Sequence, residues 1–166
     1  MKTNPQSKRI TLTAQNQRSC GTCTKCCEGN VYGTVFDTPF YKGKPCSFAD
    51  INHGCSIHKD RPDTPCKQFS CLWLKDETIP LWLKPDTVEA ILTENIVNGI
   101  YYICLIECEG VMRADVLSWF FSYSINNNLN FCWQVKGGFS WIGSQEFNDH
   151  MASLPQTTIA FSMEQK

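Results

Sequence analysis

Eight of the eleven cysteines lie between Cys20 and Cys71, and the first four have the spacing Cys-x2-Cys-x2-Cys-Cys. Two cysteines separated by two residues can place both sulfurs on one ion, because a tight turn brings their side chains together. Bacterial ferredoxins use three sulfurs at this spacing for an iron–sulfur cluster. The sequence therefore predicts a thiolate site for zinc, iron or an iron–sulfur cluster. The expected ligands are Cys20, Cys23, Cys26, Cys27, Cys46, Cys55, Cys66 and Cys71.

Disulfide bonds are the alternative use of so many cysteines. The N-terminal segment lacks the apolar stretch and cleavage site of a secretory signal, and no apolar run approaches the roughly 18 residues of a membrane span. We therefore expect a cytoplasmic protein with no membrane association. Reducing conditions in the cytosol disfavour disulfides, and an odd number of cysteines fits a disulfide framework poorly. Metal is the favoured interpretation.

The neighbouring residues Cys26 and Cys27 constrain the arrangement, because adjacent side chains tend to point apart. One of them would then serve a second ion, bridge two ions or support the other ligands. Eight sulfurs suffice for two four-sulfur sites, or for one cluster with sulfurs in reserve. His58 could also ligate a metal, although a packing role is favoured. Three further cysteines lie in or near apolar β-rich segments and are expected to be structural: Cys104, Cys108 and Cys132.

The apolar residues are divided unevenly between the two parts of the chain. Without cysteine, positions 20–71 hold 11 apolar residues in 52, whereas positions 72–166 hold 44 in 95. The first part cannot build a sizeable core, and small units of this kind rely on metal or disulfides. We expect a mobile leader (1–17), a cysteine-rich metal-binding lobe (18–75), an α+β part (76–155) packed on it as one domain, and a tail (156–166).

Hydrophobic periodicity indicates the elements of the second part. The predicted fold class is α+β: a loop-rich metal lobe followed by a small mixed or antiparallel sheet with two helices. The expected order is β-β-α-β-β-α, with strands at 87–93, 99–107, 131–135 and 139–142, a helix at 112–125, and a final helix capped by Ser144. A helical turn is expected at 66–74, an extended connection at 80–86 and a turn at 95–99.

The ordered motifs of residues 20–86 resemble those of a known family. They are the Cys20–Cys27 motif, Gly43-Lys-Pro-Cys46, Gly54-Cys55-Ser-Ile-His58, Arg61-Pro62, Cys66, Phe69, Cys71, Trp73 and Lys84-Pro85-Asp86. This combination resembles the YkgJ-type cysteine cluster proteins, or CxxCxxCC family, whose members are proposed to chelate zinc or iron. The resemblance covers about two fifths of the chain and implies metal binding by the eight cysteines. Relatives often have tyrosine where this chain has His58.

Three classes of function remain open at this stage. The first is a metal-binding cysteine cluster module, whose α+β part presents a surface for a protein partner. The second is an iron-dependent or iron–sulfur enzyme of protein modification, because the cysteine pattern also resembles that of flagellin lysine N-methylases. The third is a zinc-ribbon-like nucleic-acid binder, since residues 1–75 carry 11 Lys and Arg against 5 Asp and Glu. Nucleic acid is disfavoured because no basic stripe with interleaved aromatics is present.

Overall fold

The chain has an α+β fold, as predicted from the sequence. A computed structural model describes residues 18–136 and 138–154. The predicted leader (1–17) and tail (156–166) lie outside the described residues. The strands are β1 (Gly33–Val35), β2 (Thr38–Phe40), β3 (Ala49–Asp50), β4 (Gly54–Cys55), β5 (Ala90–Val97), β6 (Ile100–Glu107), β7 (Asn130–Val135) and β8 (Gly138–Ile142). The helices are α1 (Leu72–Lys75), α2 (Pro85–Val88), α3 (Ala114–Asn126) and α4 (Gln145–Ser153), with shorter helical turns at Cys26–Asn30, Asp63–Lys67 and Leu81–Leu83.

A four-stranded mixed sheet, in the order β5-β6-β7-β8, forms the centre of the second part. Strands β5 and β6 are antiparallel and are joined by Asn98 and Gly99, whose φ angles are 50° and 81°. Such positive angles are typical of a two-residue hairpin turn. Strands β6 and β7 are parallel, and α3 supplies the crossover that parallel strands need. The predicted β-β-α-β-β-α order is therefore confirmed.

The core is one cluster that begins in the cysteine-rich part, with Val35 and Phe40, and continues over this sheet and the helices that follow it. Ile103 and Leu105 on β6 and Phe131 on β7 have no exposed surface. Two half-buried aromatic residues of α3 pack on each other: Trp119 stacks on Tyr123 with ring centroids 5.3 Å apart. Helix α4 begins as predicted, because the Ser144 hydroxyl accepts a hydrogen bond from the backbone N–H of Phe147 at 3.2 Å.

Several predicted boundaries were wrong. The strand predicted at 87–93 begins at Ala90 and continues to Val97, because the hairpin turn uses two residues instead of the five expected at 95–99. The connection at 80–86 is not extended throughout, since it contains the Leu81–Leu83 turn and the start of α2. Proline is favoured at the first position of a helix, and Pro85 occupies that position. The single turn expected at 66–74 is split by the extended residue Cys71.

The α3 helix is tied to the segment after α1 through Asp76. The Asp76 carboxylate accepts hydrogen bonds from the backbone N–H of Thr78 at 2.8 Å and from the Thr78 hydroxyl at 2.6 Å. It also accepts one from the Tyr123 hydroxyl of α3. Burial acts to raise the pKa of Asp76, but the hydrogen bonds from Thr78 and Tyr123 outweigh it and lower that pKa.

Replacing Tyr123 by Phe should destabilise the protein by about 1 kcal/mol, the net value of one such hydrogen bond. Because the pKa of Asp76 is lowered by folding, its contribution is complete above the unfolded pKa of about 3.9 and is lost as the pH falls through the folded pKa. Urea unfolding of wild type and Tyr123→Phe at neutral and acidic pH checks this. The difference between the two should shrink below about pH 4. An exposed-tyrosine variant, Tyr32→Phe, is the control.

Candidate metal centre

All eight predicted ligands line one cavity of about 120 Å³. Apolar side chains form much of the remaining wall, among them Phe40, Phe48 and Trp73. Every cysteine lies within the described residues, and all eleven are free thiols. Cysteines up to 51 positions apart in the sequence therefore line the same, largely apolar cavity. The cysteines of the lining are Cys20, Cys23, Cys26, Cys27, Cys46, Cys55, Cys66 and Cys71.

The first three of these cysteines come from two consecutive turns. The backbone N–H of Cys23 donates to the carbonyl of Cys20 at 2.9 Å, and the helical turn Cys26–Asn30 follows. Gly29 within that turn has φ 92°, and a side chain there would collide with the carbonyl of Tyr41. Only glycine combines this angle with so close an approach. Gly29 therefore lets the turn that carries Cys26 pack against the segment after β2.

A second group of segments brings Cys27, Cys46 and Cys55 together. The backbone N–H of Cys46 donates to the carbonyl of Cys27 at 2.8 Å, and the N–H of Ala49 donates to the carbonyl of Cys46 at 3.0 Å. Ala49 on β3 is the ladder partner of Cys55 on β4. The backbone of Cys46 therefore contacts that of Cys27, and Ala49 connects Cys46 to Cys55.

Arg18 fixes the chain just before Cys20 to the segment just after Cys71. Its guanidinium donates hydrogen bonds to four backbone carbonyls: those of Trp73 at 2.5 Å, Asp76 at 2.8 Å, Glu77 at 3.0 Å and Ile79 at 2.5 Å. It also lies over the Trp73 ring, 4.9 Å from its centroid. A planar group with several fixed N–H donors suits such a set of acceptors. The contact holds the first cysteine turn next to the start of α1.

Lys25, between two of the cysteines, joins their turn to the sheet. Its ammonium forms ion pairs with Glu28 at 3.2 Å, with Glu89 just before β5 at 2.6 Å and with Glu109 just after β6 at 3.6 Å. Burial acts to lower the pKa of Lys25, but Glu89 and Glu28 outweigh it and raise that pKa. Lys25 therefore stays charged, and its ion pairs connect the cysteine turn to the residues that flank β5 and β6.

Burial raises the pKa of several cavity thiols and keeps them protonated near neutral pH. It raises the pKa of Cys27 to about 12 and that of Cys71 to about 11, and it raises the pKa of Cys26 well above its ordinary value. The negative charges of neighbouring thiolates add to this effect. Bare thiolates are therefore unfavourable in the cavity, and a cation among them would remove the penalty.

Two cationic side chains and one histidine also line the cavity: Arg61, Lys84 and His58. Burial raises the pKa of Cys20, whereas the charges of Arg61 and Lys84 act to lower it. His58 is exposed, and its pKa is lowered by burial and by Arg61, so it is neutral at pH 7 and has a nitrogen lone pair. His58 lines the cavity, and this position is compatible with both roles considered for it, metal ligand and packing residue.

The sulfurs line the cavity without forming a finished mononuclear site. Within residues 18–136 and 138–154, no three Cys, His, Asp or Glu side chains are grouped so that they could hold one ion. Tetrahedral zinc needs Zn–S distances of about 2.3 Å, which sets neighbouring sulfurs about 3.8 Å apart. A bound ion would have to draw the sulfurs inward.

The remaining three cysteines lie on or next to the sheet. Cys104 and Cys132 are fully buried and face each other across β6 and β7, as expected for structural cysteines. Cys108 is half-buried, and its N–H donates to the carbonyl of Glu89 at 2.9 Å. Burial raises the pKa of Cys108 to about 12, and Cys23 is among the neighbouring charges that add to the rise. Its nearness to Cys23 was not predicted, because it depends on how β6 meets the cysteine loop.

None of the described helices combines the length and the apolar character needed to cross a bilayer; the longest, α3, has 13 residues. Compared with models of protein families, with curated proteins and with solved structures, the chain gives no match.

Proposed function

We propose that this protein is a metal-binding module whose zinc, iron or iron–sulfur centre is held by up to eight thiolates. The observation that carries the proposal is the single cavity lined by eight free thiols from separate segments. The resemblance of residues 20–86 to the CxxCxxCC family points to the same use of these cysteines. Soft thiolate donors suit zinc and iron–sulfur centres far better than calcium or magnesium.

The donor set of this cavity fits such metals. Buried thiols lose their protons when a metal binds, and a structural zinc site contributes roughly 10–16 kcal/mol at neutral pH. Two divalent ions with eight thiolates would carry a formal charge of about −4. Arg61 and Lys84 at the cavity wall offset part of that charge. The residues that would hold the metal and those that would balance it are therefore next to each other.

A structural role for the metal is favoured over a catalytic one. Eight sulfurs can supply four ligands to each of two ions, and a tetrahedral ion with four protein ligands has no position open to water or substrate. Zinc sites with four sulfurs are closed and act by stabilising the fold. The α+β part would then present the surface that a protein partner binds.

Metal affinity should rise steeply with pH. Folding raises the pKa of Cys27 and that of Cys71 above their unfolded values, so these two thiols are protonated in the metal-free protein near pH 7 and release protons on binding. Each proton released makes binding about tenfold tighter per pH unit. Competition with a chromophoric chelator at several pH values between about 6 and 8 measures this. After correction for the chelator's own protonation, a pH-independent affinity would show that the thiols are not the ligands.

Anaerobic purification followed by elemental analysis and an absorption spectrum tests the proposal. Metal should co-purify in stoichiometric amount; zinc would leave the protein colourless, and an iron–sulfur cluster would make it brown. Anaerobic handling matters because zinc can replace iron in a sulfur site. The matched control is a Cys104→Ala variant, which removes a thiol outside the cavity and should keep the metal content. Protein that is folded but free of metal would contradict the proposal.

A further inference from the structure

We propose that a cleft between the cysteine-rich lobe and the sheet, separate from the cysteine cavity, binds a purine mononucleotide. The cleft has a volume of about 560 Å³, within the range of about 300–1,000 Å³ that is usual for small-molecule sites. None of its lining residues is a cysteine, and Phe40 alone is shared with the lining of the cysteine cavity. The proposal therefore does not depend on which metal the cysteines hold.

Two parts of the fold form this cleft. The sheet contributes Gln134 on β7, its ladder partner Phe139 on β8, and Ile106 on β6. The lobe contributes the segments 29–34 and 39–42, which include residues of β1 and β2. The cleft therefore exists only where the β1–β2 hairpin and the turn before it pack beside the sheet.

Aromatic side chains form much of the lining, which suits a flat ring. They are Tyr32, Phe40, Tyr41 and Phe139. Tyr32 is 37% exposed and Tyr41 is 50% exposed, although both lie at the cleft. Nucleic-acid bases stack on aromatic side chains because every base has a π-face. A purine ring in the cleft would bury aromatic surface that faces solvent in its absence.

The side-chain amide of Gln134 supplies the polar contact that selects a purine. Its Oε1 atom is buried, and within residues 18–136 and 138–154 it has no hydrogen-bond partner. An unpaired buried oxygen costs free energy, so a ligand that hydrogen-bonds to this amide is favoured. Rotation about the last side-chain bond can turn the oxygen toward the cleft. The amide can then accept from N6 and donate to N7 of adenine, the pairing that glutamine makes with this base.

The charge of the cleft favours an anionic ligand. Among the described lining residues Lys42 is the one charged side chain, and no carboxylate is present. The ammonium of Lys44 lies over the Tyr41 ring, 5.9 Å from its centroid, so a second positive charge is next to the cleft. Both lysines are exposed. A ribose phosphate can reach these ammonium groups while the base lies among the aromatic residues, and phosphate forms strong hydrogen bonds with such donors.

Titration of the full-length protein, purified anaerobically, with adenosine 5′-monophosphate tests the proposal by calorimetry and by ¹H–¹⁵N NMR. We expect a dissociation constant below about 1 mM and the largest shifts at the amides of Tyr32, Gln134 and Phe139. Adenosine should bind about two- to fivefold more weakly, the contribution of an exposed ion pair, and ribose 5-phosphate should not bind measurably. Absence of nucleotide binding would overturn the proposal, as would shifts concentrated at Cys66 and Cys71, which would place the phosphate on the metal. Tighter binding of a short oligoadenylate would overturn the assignment to a free nucleotide. All three outcomes leave the proposed metal-binding function intact.

The Gln134→Leu variant provides a second measurement. It should weaken binding of adenosine 5′-monophosphate about fivefold or more, because it removes the amide that pairs with the base. Its melting temperature without nucleotide should be equal to that of the wild type or higher, since leucine replaces an unpaired buried amide. The matched control is Gln145→Leu, because Gln145 is an exposed residue of α4 outside the cleft. Wild-type affinity of Gln134→Leu would contradict the proposal. So would its clear destabilisation, which would show that the amide already has a partner within the protein.

Discussion

Removing the metal should unfold the cysteine-rich lobe while the four-stranded sheet stays folded. The lobe has 11 apolar residues in positions 20–71, too few for a stable core of its own. One structural metal site contributes roughly 10–16 kcal/mol, which is comparable to the whole stability of a typical domain, about 5–15 kcal/mol. Hydrogen exchange with and without a strong chelator measures the effect region by region. Amides of β1 to β4 should lose protection, and those of β6 and β7 should keep it.

The comparison between regions provides its own control. The buried strands β6 and β7 contain Ile103, Leu105 and Phe131, which no chelator can reach or destabilise directly. Protection that is unchanged in the lobe after the metal has been removed would contradict the role given to the metal. Equal loss of protection in the sheet would instead indicate that the whole chain unfolds as one cooperative unit.

Replacing Arg18 by Ala should have the second-largest effect, a loss of about 2–4 kcal/mol in the free energy of unfolding. Hydrogen bonds to a charged group contribute about 1.5–3 kcal/mol each, and four carbonyls would lose their common donor. Arg18→Lys should restore little, because an ammonium has no planar fork to match these acceptors and cannot stack on Trp73 in the same way. Urea unfolding of the metal-loaded protein measures both variants.

The matched control for Arg18 is Arg113→Ala. Arg113 is a surface arginine whose guanidinium pairs with Asp115 at 2.7 Å, two positions along the chain. Surface ion pairs contribute little to stability, so this variant should unfold nearly as the wild type does. Arg18→Lys with wild-type stability would show that the positive charge alone, and not the set of four hydrogen bonds, holds the segment.

Local signals in the sequence were enough to predict the second part of the fold. Two of these signals are local. The turn residues Asn98 and Gly99 lie between two β-rich runs, and Ser144 caps the helix that directly follows it. The crossover helix α3 had a clear helical period. The boundaries at Ala90 and Val97 were wrong because strand length depends on ladder partners in β6, which no local pattern specifies.

The cysteine-rich lobe was predicted less completely. The identity of the lining cysteines followed from their spacing, but strands of two or three residues such as β1 and β3 are too short to show a period. Arg18 gave no signal either, since the carbonyls it contacts lie 55 to 61 positions away. The same holds for Lys25, whose partners Glu89 and Glu109 belong to the sheet region. Such contacts depend on tertiary packing.

X-ray absorption at the metal edge of the anaerobically purified protein tests the central claim most directly, because it counts the atoms bound to the ion. We expect about four sulfur neighbours per metal, at about 2.3 Å if the metal is zinc. A first coordination sphere made mainly of oxygen and nitrogen, in a protein whose eight cysteines remain free, would contradict the claim that these thiols hold the metal.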